Sequence, residues 1–292
     1  MALLEVHHLV KHYVRGGGFF RPPSVVRAVD GVSFSIDRGD MFGLVGESGS
    51  GKSTTGRCIL RLVEPTSGEV RFRGENLLQF SKTRMRLARR DMQVVFQDPY
   101  ASLNPRMRAG DIVEEPLIIH RLGTGVERRA RVAELVEMVG LEAVHLTRYP
   151  HEFSGGQRQR VAIARALALN PALIVADEAV SALDVSIQAQ VVGLLMDLRR
   201  RLGLTYLFIA HDLRLVEHIC NRLAVMYLGK IVEMGQTEAI FRNAAHPYTR
   251  ALLSAVPVLD PDAPRQRIEF DTTSFHGDTP LREVEAGHWA AV

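Results

Sequence analysis

The chain has 292 residues, 46% of them hydrophobic and 24% charged, with a formal net charge of +3. It is long enough to bury a sizeable core in one large domain with subdomains, and its charge is too small to argue for nucleic acid as a partner. Its two cysteines, Cys58 and Cys220, lack C-x-x-C spacing, which argues against a disulfide framework and a structural metal site.

The opening residues, Met1-Ala2-Leu3-Leu4-Glu5, carry neither a basic stretch nor a long apolar one, so no signal peptide is expected. No uncharged apolar run approaches the ~20 residues that span a bilayer, so any membrane role is expected to be peripheral. Strand patterns over 3–14 and 27–37 flank a glycine- and proline-rich insertion at 16–23. The apolar run 41–45 predicts a further strand, and a helix is expected from 53 to about 62. Between them, Gly46-Glu47-Ser48-Gly49-Ser50-Gly51-Lys52-Ser53 match G-x-x-x-x-G-K-[ST] in the strand–loop–helix context that this pattern requires. The glycines let backbone N–H groups turn toward phosphate oxygens, and the helix N-terminus adds a favourable dipole. Lys52 is the candidate for reaching the terminal phosphates, and the Ser53 hydroxyl for ligating Mg²⁺. With Thr54, these residues are the candidate contacts to a nucleoside triphosphate.

Further strands are expected at 69–73 and at 93–96, the latter ending in Gln97-Asp98-Pro99. From about 101 to 170 the character is mostly helical. Val132, Val136 and Val139 recur at helical spacing, and Gly140 is a natural stop. Apolar strands return at 173–176, 205–210 and 223–227, the last joined by Leu228-Gly229-Lys230 to 231–234 as a hairpin. Alternation of strands and helices gives the α/β class. Beyond about 257 the polar, proline-bearing composition predicts a loosely ordered tail. The arginine clusters 89–90, 128–129 and 199–201 fall in helix-like stretches and read as solvated faces, in preference to contacts with membrane-protein loops or lipid headgroups.

Three further constellations carry chemistry. The apolar run 173–176 delivers Asp177 and Glu178 at a strand's carboxyl end, where open parallel sheets bind ligands. Asp177 suits indirect Mg²⁺ coordination and Glu178 suits orienting or deprotonating a water, although paired acids also open ordinary helices. Ser154-Gly155-Gly156-Gln157 opens an amphipathic helix as a second anion-binding N-terminus. His211 ends the strand 205–210, where an imidazole could touch a γ-phosphate; a structural histidine is the alternative.

Taken together, the set resembles the ATP-binding-cassette (ABC) ATPases over roughly residues 1–240. Their pattern is a phosphate loop (46–53), a glutamine loop (Gln97), an S-G-G-Q signature (154–157), an Asp-Glu strand end (177–178), a short aspartate loop (Ser181-Ala182-Leu183-Asp184) and a switch histidine (His211). All six occur here in family order. The resemblance implies a phosphate-loop NTPase fold: a RecA-like core with an antiparallel β subdomain over 1–256, including a helical subdomain near 101–170. It implies ATP and Mg²⁺ as cofactors, with Ser53, Gln97 and Asp177 toward the metal. It also implies that ATP is sandwiched between the phosphate loop of one subunit and Ser154 and Gly156 of another, with Glu178 polarising water, His211 holding the γ-phosphate and Asp184 nearby. Tyr13 is the candidate for stacking on adenine; a half-buried strand tyrosine is the alternative.

The phrases at 95–105, 150–154 and 246–253 (His-Pro-Tyr-Thr-Arg-Ala-Leu-Leu) resemble the dipeptide/oligopeptide importers, whose relatives import nickel or glutathione. That resemblance implies a C-terminal extension over 241–292 and a second cassette, identical or paralogous. It further implies two transmembrane permease subunits, an extracytoplasmic solute-binding protein and a peripheral place on the cytoplasmic face of a bacterial inner membrane. A soluble cassette ATPase of a non-transport assembly is the alternative. Two departures stand out. Some relatives bind an iron–sulfur cluster through four clustered C-terminal cysteines, which this chain lacks. Ala179 stands where the family usually has proline, and because proline restricts its predecessor to extended conformations, Ala179→Pro is expected here to leave turnover equal or higher.

Overall fold

A computed structural model of the chain describes residues 2–16, 24–255, 268–272, 275 and 277–292. It divides into two compact units, Met1–Phe80 with Leu207–Val292, and Ser81–Tyr206. Most of the insertion expected at 16–23 lies outside the described residues.

The first unit begins with β1 (Ala2–Arg15) and β2 (Ser24–Asp37), an antiparallel pair. Leu4, Val6 and Leu9 on β1 and Val32, Phe34 and Ile36 on β2 are buried. β3 (Met41–Val45) is buried at every residue, as befits a continuous apolar run covered on both faces. It leads into the phosphate loop and α1 (Lys52–Ile59). This helix stops before the expected residue 62, because Arg61 turns to φ +48°. The Arg61 guanidinium then donates to the carbonyls of Leu77 and Phe80, at 2.8 and 2.9 Å. β4 (Ser67–Phe72) and β5 (Glu75–Asn76) complete a four-stranded sheet in the order β2-β1-β4-β5.

The second unit carries α2 (Lys82–Ala88), β6 (Met92–Phe96), α3 (Pro99–Ser102), α4 (Ala109–Ile119), α5 (Gly125–Met138), α6 (Gly155–Leu167), β7 (Leu173–Asp177) and α7 (Val185–Leu202). β6 and β7 pair in parallel. α5 starts at a Thr124/Glu127 capping box and is followed by Gly140 at φ +71°. α6 buries almost its whole length, Arg158 and Gln159 included. The solvated-face reading needs correcting at Arg128. Its guanidinium makes a part-buried ion pair with Glu114 at 2.8 Å, because α4 and α5 pack together. Arg89 and Arg90 lie just beyond α2.

The division between the units falls within β8 (Thr205–Ala210). α8 (Leu213–Ile219), β9 (Arg222–Tyr227), β10 (Lys230–Gln236), α9 (Thr237–Arg242), α10 (Pro247–Ser254), β11 (Arg282–Glu285) and β12 (His288–Ala290) return to the first unit. There β9 lies parallel to β3 and antiparallel to β10. The β9–β10 turn is two residues, Leu228 and Gly229, at φ +43° and +84°. Positive φ at both positions matches the right-handed twist of a hairpin.

The expectation of a loosely ordered tail fails over its last residues. β11 and β12 form a hairpin, and β12 pairs with β10 through Glu233↔Ala290 and Met234↔Trp289. Strands of four and three residues are too short for a hydrophobic period, so the sequence carried no signal for them. Their anchor is polar. The fully buried Glu233 carboxylate accepts from His288 Nε2 at 2.7 Å and from the backbone N–H groups of Ala245 and His246, at 2.7 and 3.1 Å.

In the first unit, Phe42 is fully buried and stacks on Phe34 with centroids 5.1 Å apart. Phe42→Ala is expected to cost about 4 kcal/mol through lost contact and a cavity, read as a lower midpoint in urea unfolding.

Candidate functional site

The phosphate loop is seated by backbone packed on backbone. A Cβ on Gly51 would lie 2.0 Å from the Ala28 carbonyl oxygen, and one on Gly46 would lie 2.1 Å from that of Met226. Both positions also have φ above +100°, so only glycine fits there. The Gly229 N–H donates to the Ser50 carbonyl at 2.9 Å, tying the loop to the β9–β10 turn. Lys52 is 4% exposed, and its ammonium donates to the carbonyls of Gly46 and Glu47 at 2.8 and 2.7 Å. Ser53 and Thr54 follow it in the first turn of α1, both partly exposed, while Glu47, Ser48 and Gly49 are exposed. The loop thus concentrates backbone N–H groups, a lysine and a helix start at one place, an arrangement suited to a polyphosphate.

One contact to this loop escaped the sequence reading. The Glu47 N–H donates to the Tyr248 hydroxyl at 3.0 Å. Tyr248 stood in the phrase at 246–253, but nothing in its spacing pointed to a residue 201 positions away.

His211 follows β8 and is exposed, and Asp212 caps α8 by accepting from the Arg214 N–H at 3.0 Å. Tyr13 lies on β1 opposite Val26, 39% exposed, with the Lys11 ammonium 4.9 Å from its ring centroid.

Within the second unit, strand register brings three candidates together. Phe96 and Asp177 are partners in the β6–β7 ladder, so Gln97 and Glu178 leave the carboxyl ends of neighbouring parallel strands. Asp177 is 5% exposed, Glu178 is partly exposed and Gln97 is exposed. Glu178 adopts φ +51°, and its carbonyl accepts from the Ser181 N–H and hydroxyl at 3.1 and 3.0 Å. This argues, on backbone grounds, against the expectation for Ala179→Pro. The backbone at Glu178 is left-handed, whereas a proline at 179 would push it toward extended values.

The signature residues sit in the same unit. Ser154 caps α6 in a capping box: its hydroxyl accepts from the Gln157 N–H at 3.3 Å, and the Gln157 side chain accepts from the Ser154 N–H at 3.1 Å. A Cβ on Gly156 would lie 2.3 Å from Ile187 Cγ2, so this helix start is pressed onto the start of α7. Gly155 also neighbours Leu183, where an added Cβ would sit at an ordinary contact distance of 3.4 Å. Asp184 caps α7. The Ile187 N–H and then the Ser186 hydroxyl, at 3.0 and 2.9 Å, hold its carboxyl below the usual carboxylate range. Signature and aspartate loop are therefore one packed feature. Farther along α6, the Arg158 guanidinium stacks 3.5 Å from the Tyr100 ring centroid, tying that helix to the segment after Gln97.

Residues 29–181 match the ABC transporter family, more than half of the chain. The chain belongs to that family, and it is an ATP-hydrolysing member. Residues 232–277 match the oligopeptide/dipeptide transporter C-terminal region. The chain is 54% identical to the oligopeptide transport ATP-binding protein OppF of Bacillus subtilis, covering 98% of this chain and 95% of that one. It is 56% identical to the glutathione import ATP-binding protein GsiA of Salmonella paratyphi A, over 99% of this chain and 48% of that protein. Among solved structures, the dimeric ATP-binding cassette MJ0796 bound to ADP and Pi superposes with a TM-score of 0.72 at 33% identity, covering 80% of this chain and 98% of that one. Among the described residues, no helix is long and apolar enough to cross a membrane.

Two substitutions probe this geometry. Ala179→Pro is expected to lower stability by about 1 kcal/mol and to reduce turnover, read by thermal melting and steady-state phosphate release. Gly156→Ala is expected to destabilise by about 2 kcal/mol through overlap with Ile187, with part of the loss recovered in Gly156→Ala/Ile187→Ala.

Proposed function

We propose that the chain is the ATP-hydrolysing subunit of an importer for di- and oligopeptides, peripheral to the cytoplasmic face of the membrane. The observation that carries this reading is the end-to-end likeness to OppF, C-terminal region included. Glutathione, named for GsiA, is itself a small peptide and falls within the same solute class.

In this reading the phosphate loop 46–51, Lys52, Ser53 and Thr54 bind the triphosphate of ATP. Glycines that no Cβ could replace and an enclosed lysine support that role. Ser53, Gln97 and Asp177 are oxygen donors of the kind Mg²⁺ prefers, and they are the residues that would hold it; the ion supplies charge neutralisation at the phosphates. Glu178 orients and deprotonates the attacking water, and its strand-end position beside Gln97 supports this. His211 contacts the γ-phosphate and Tyr13 the adenine. Ser154, Gly155, Gly156 and Gln157, with Asp184, face nucleotide held by a second cassette, identical or paralogous. The dimeric state of MJ0796 supports that arrangement. Gln97 also senses the membrane partners, two permease subunits fed by an extracytoplasmic solute-binding protein.

Glu178→Gln tests the chemistry. It is expected to reduce phosphate release to background while ATP still binds, and to accumulate an ATP-dependent dimer on size exclusion. Normal turnover in this variant would remove Glu178 from the base role. Transport is tested by co-expression with the permease and solute-binding subunits in proteoliposomes, where peptide uptake should require ATP and fail in the Glu178→Gln complex.

A further inference from the structure

The peptide group between Gly46 and Glu47 is gripped from both sides. Its carbonyl accepts from the Lys52 ammonium at 2.8 Å, and its N–H donates to the Tyr248 hydroxyl at 3.0 Å. In a trans peptide these two groups point in opposite directions, so each bond fixes the plane that the other needs. The second grip comes from α10, more than 200 residues away in sequence.

Tyr248 is itself firmly held. It is 2% exposed, and its ring lies 4.3 Å from Tyr227 and 5.4 Å from Phe270, centroid to centroid. Burial pushes its hydroxyl up to about 12, so near neutral pH it meets the Glu47 N–H as a neutral phenol. The helix that carries it is pinned at its first residues. His246 Nδ1 accepts from the Tyr248 N–H at 3.1 Å, while Glu233 accepts from the N–H groups of Ala245 and His246. Glu233 also binds His288 of the terminal hairpin. An unbroken run of polar contacts thus joins β12, β10 and α10 to the phosphate loop, all within one unit.

We propose that Tyr248 is a positioning residue for nucleotide: its hydroxyl sets the Gly46–Glu47 peptide so that Lys52 and the following N–H groups face the polyphosphate. The C-terminal segment is then a brace for the ATP site as well as an appendage. Because the Glu47 N–H is committed to Tyr248, the phosphate-facing donors are those after residue 47. This inference rests on reading 46–53 as the nucleotide loop.

The test uses the full-length chain and a fluorescent ATP analogue, with Tyr248→Phe, Tyr248→Ala and Lys52→Ala beside the parent. Tyr248→Phe keeps the ring packing and removes the acceptor of the part-buried Glu47 N–H, which stays within reach of water at the exposed Glu47. It is expected to weaken nucleotide binding about fivefold, the effect of one lost hydrogen bond. The KM for ATP should rise to match with kcat within twofold, and nucleotide-free melting should be unmoved. Tyr248→Ala should weaken binding and lower the melting temperature together. If Tyr248→Phe binds as the parent does while Lys52→Ala does not bind, the brace is refuted and the loop assignment stands. If Tyr248→Phe weakens binding only in step with lost melting temperature, Tyr248 is a packing residue and the proposal falls. If Lys52→Ala binds normally, the loop assignment falls and takes this inference with it.

Discussion

The close approach of backbone to backbone beneath the phosphate loop governs the first unit. Gly46 and Gly51 rest against the carbonyls of Met226 and Ala28 at separations that leave no room for a Cβ. β3 must therefore deliver the loop at one height relative to β2 and β9, and the buried run Met41–Val45 provides that. Lys52 is enclosed because the loop folds over it, and its ammonium donates to the Gly46 and Glu47 carbonyls. Strand, glycines and lysine form one mechanical object. A change to any of them displaces the others.

The second unit solves a different problem, that of holding a helix start and two acids in fixed register. Ladder pairing of Phe96 with Asp177 sets Gln97 beside Glu178. The capping boxes and Asx caps at Ser154 and Asp184 fix two helix starts, and Gly156 lets one press on the other. These are short-range, strongly directional interactions. They hold their geometry while the apolar faces of α6 and α7 supply the bulk of the stabilisation.

Much of this was legible because the determinants are local in sequence. The loop at 46–53, the buried strands 41–45 and 173–177, and the helix starting at Ser154 each follow from a motif plus its flanking pattern. What was illegible was long-range or very short. The Tyr248 hydroxyl reaches Glu47 across 201 positions, and the β11–β12 hairpin depends on a buried Glu233 that looks, in sequence, like one more charged residue in a strand. Glu178 shows a third limit. Its position at the strand end was readable, but its left-handed backbone was not, because that depends on the turn closed by Ser181.

The turn at Leu228 and Gly229 has a practical corollary. Short hairpin loops are ordinary places to graft an epitope or a fluorophore, since they usually face water and touch nothing. This one donates to Ser50 and accepts from the Asp30 N–H at 2.8 Å, so it stitches two sheets and the loop between them at a single seam. A graft there would open that seam, so this turn is a poor labelling point despite its short loop.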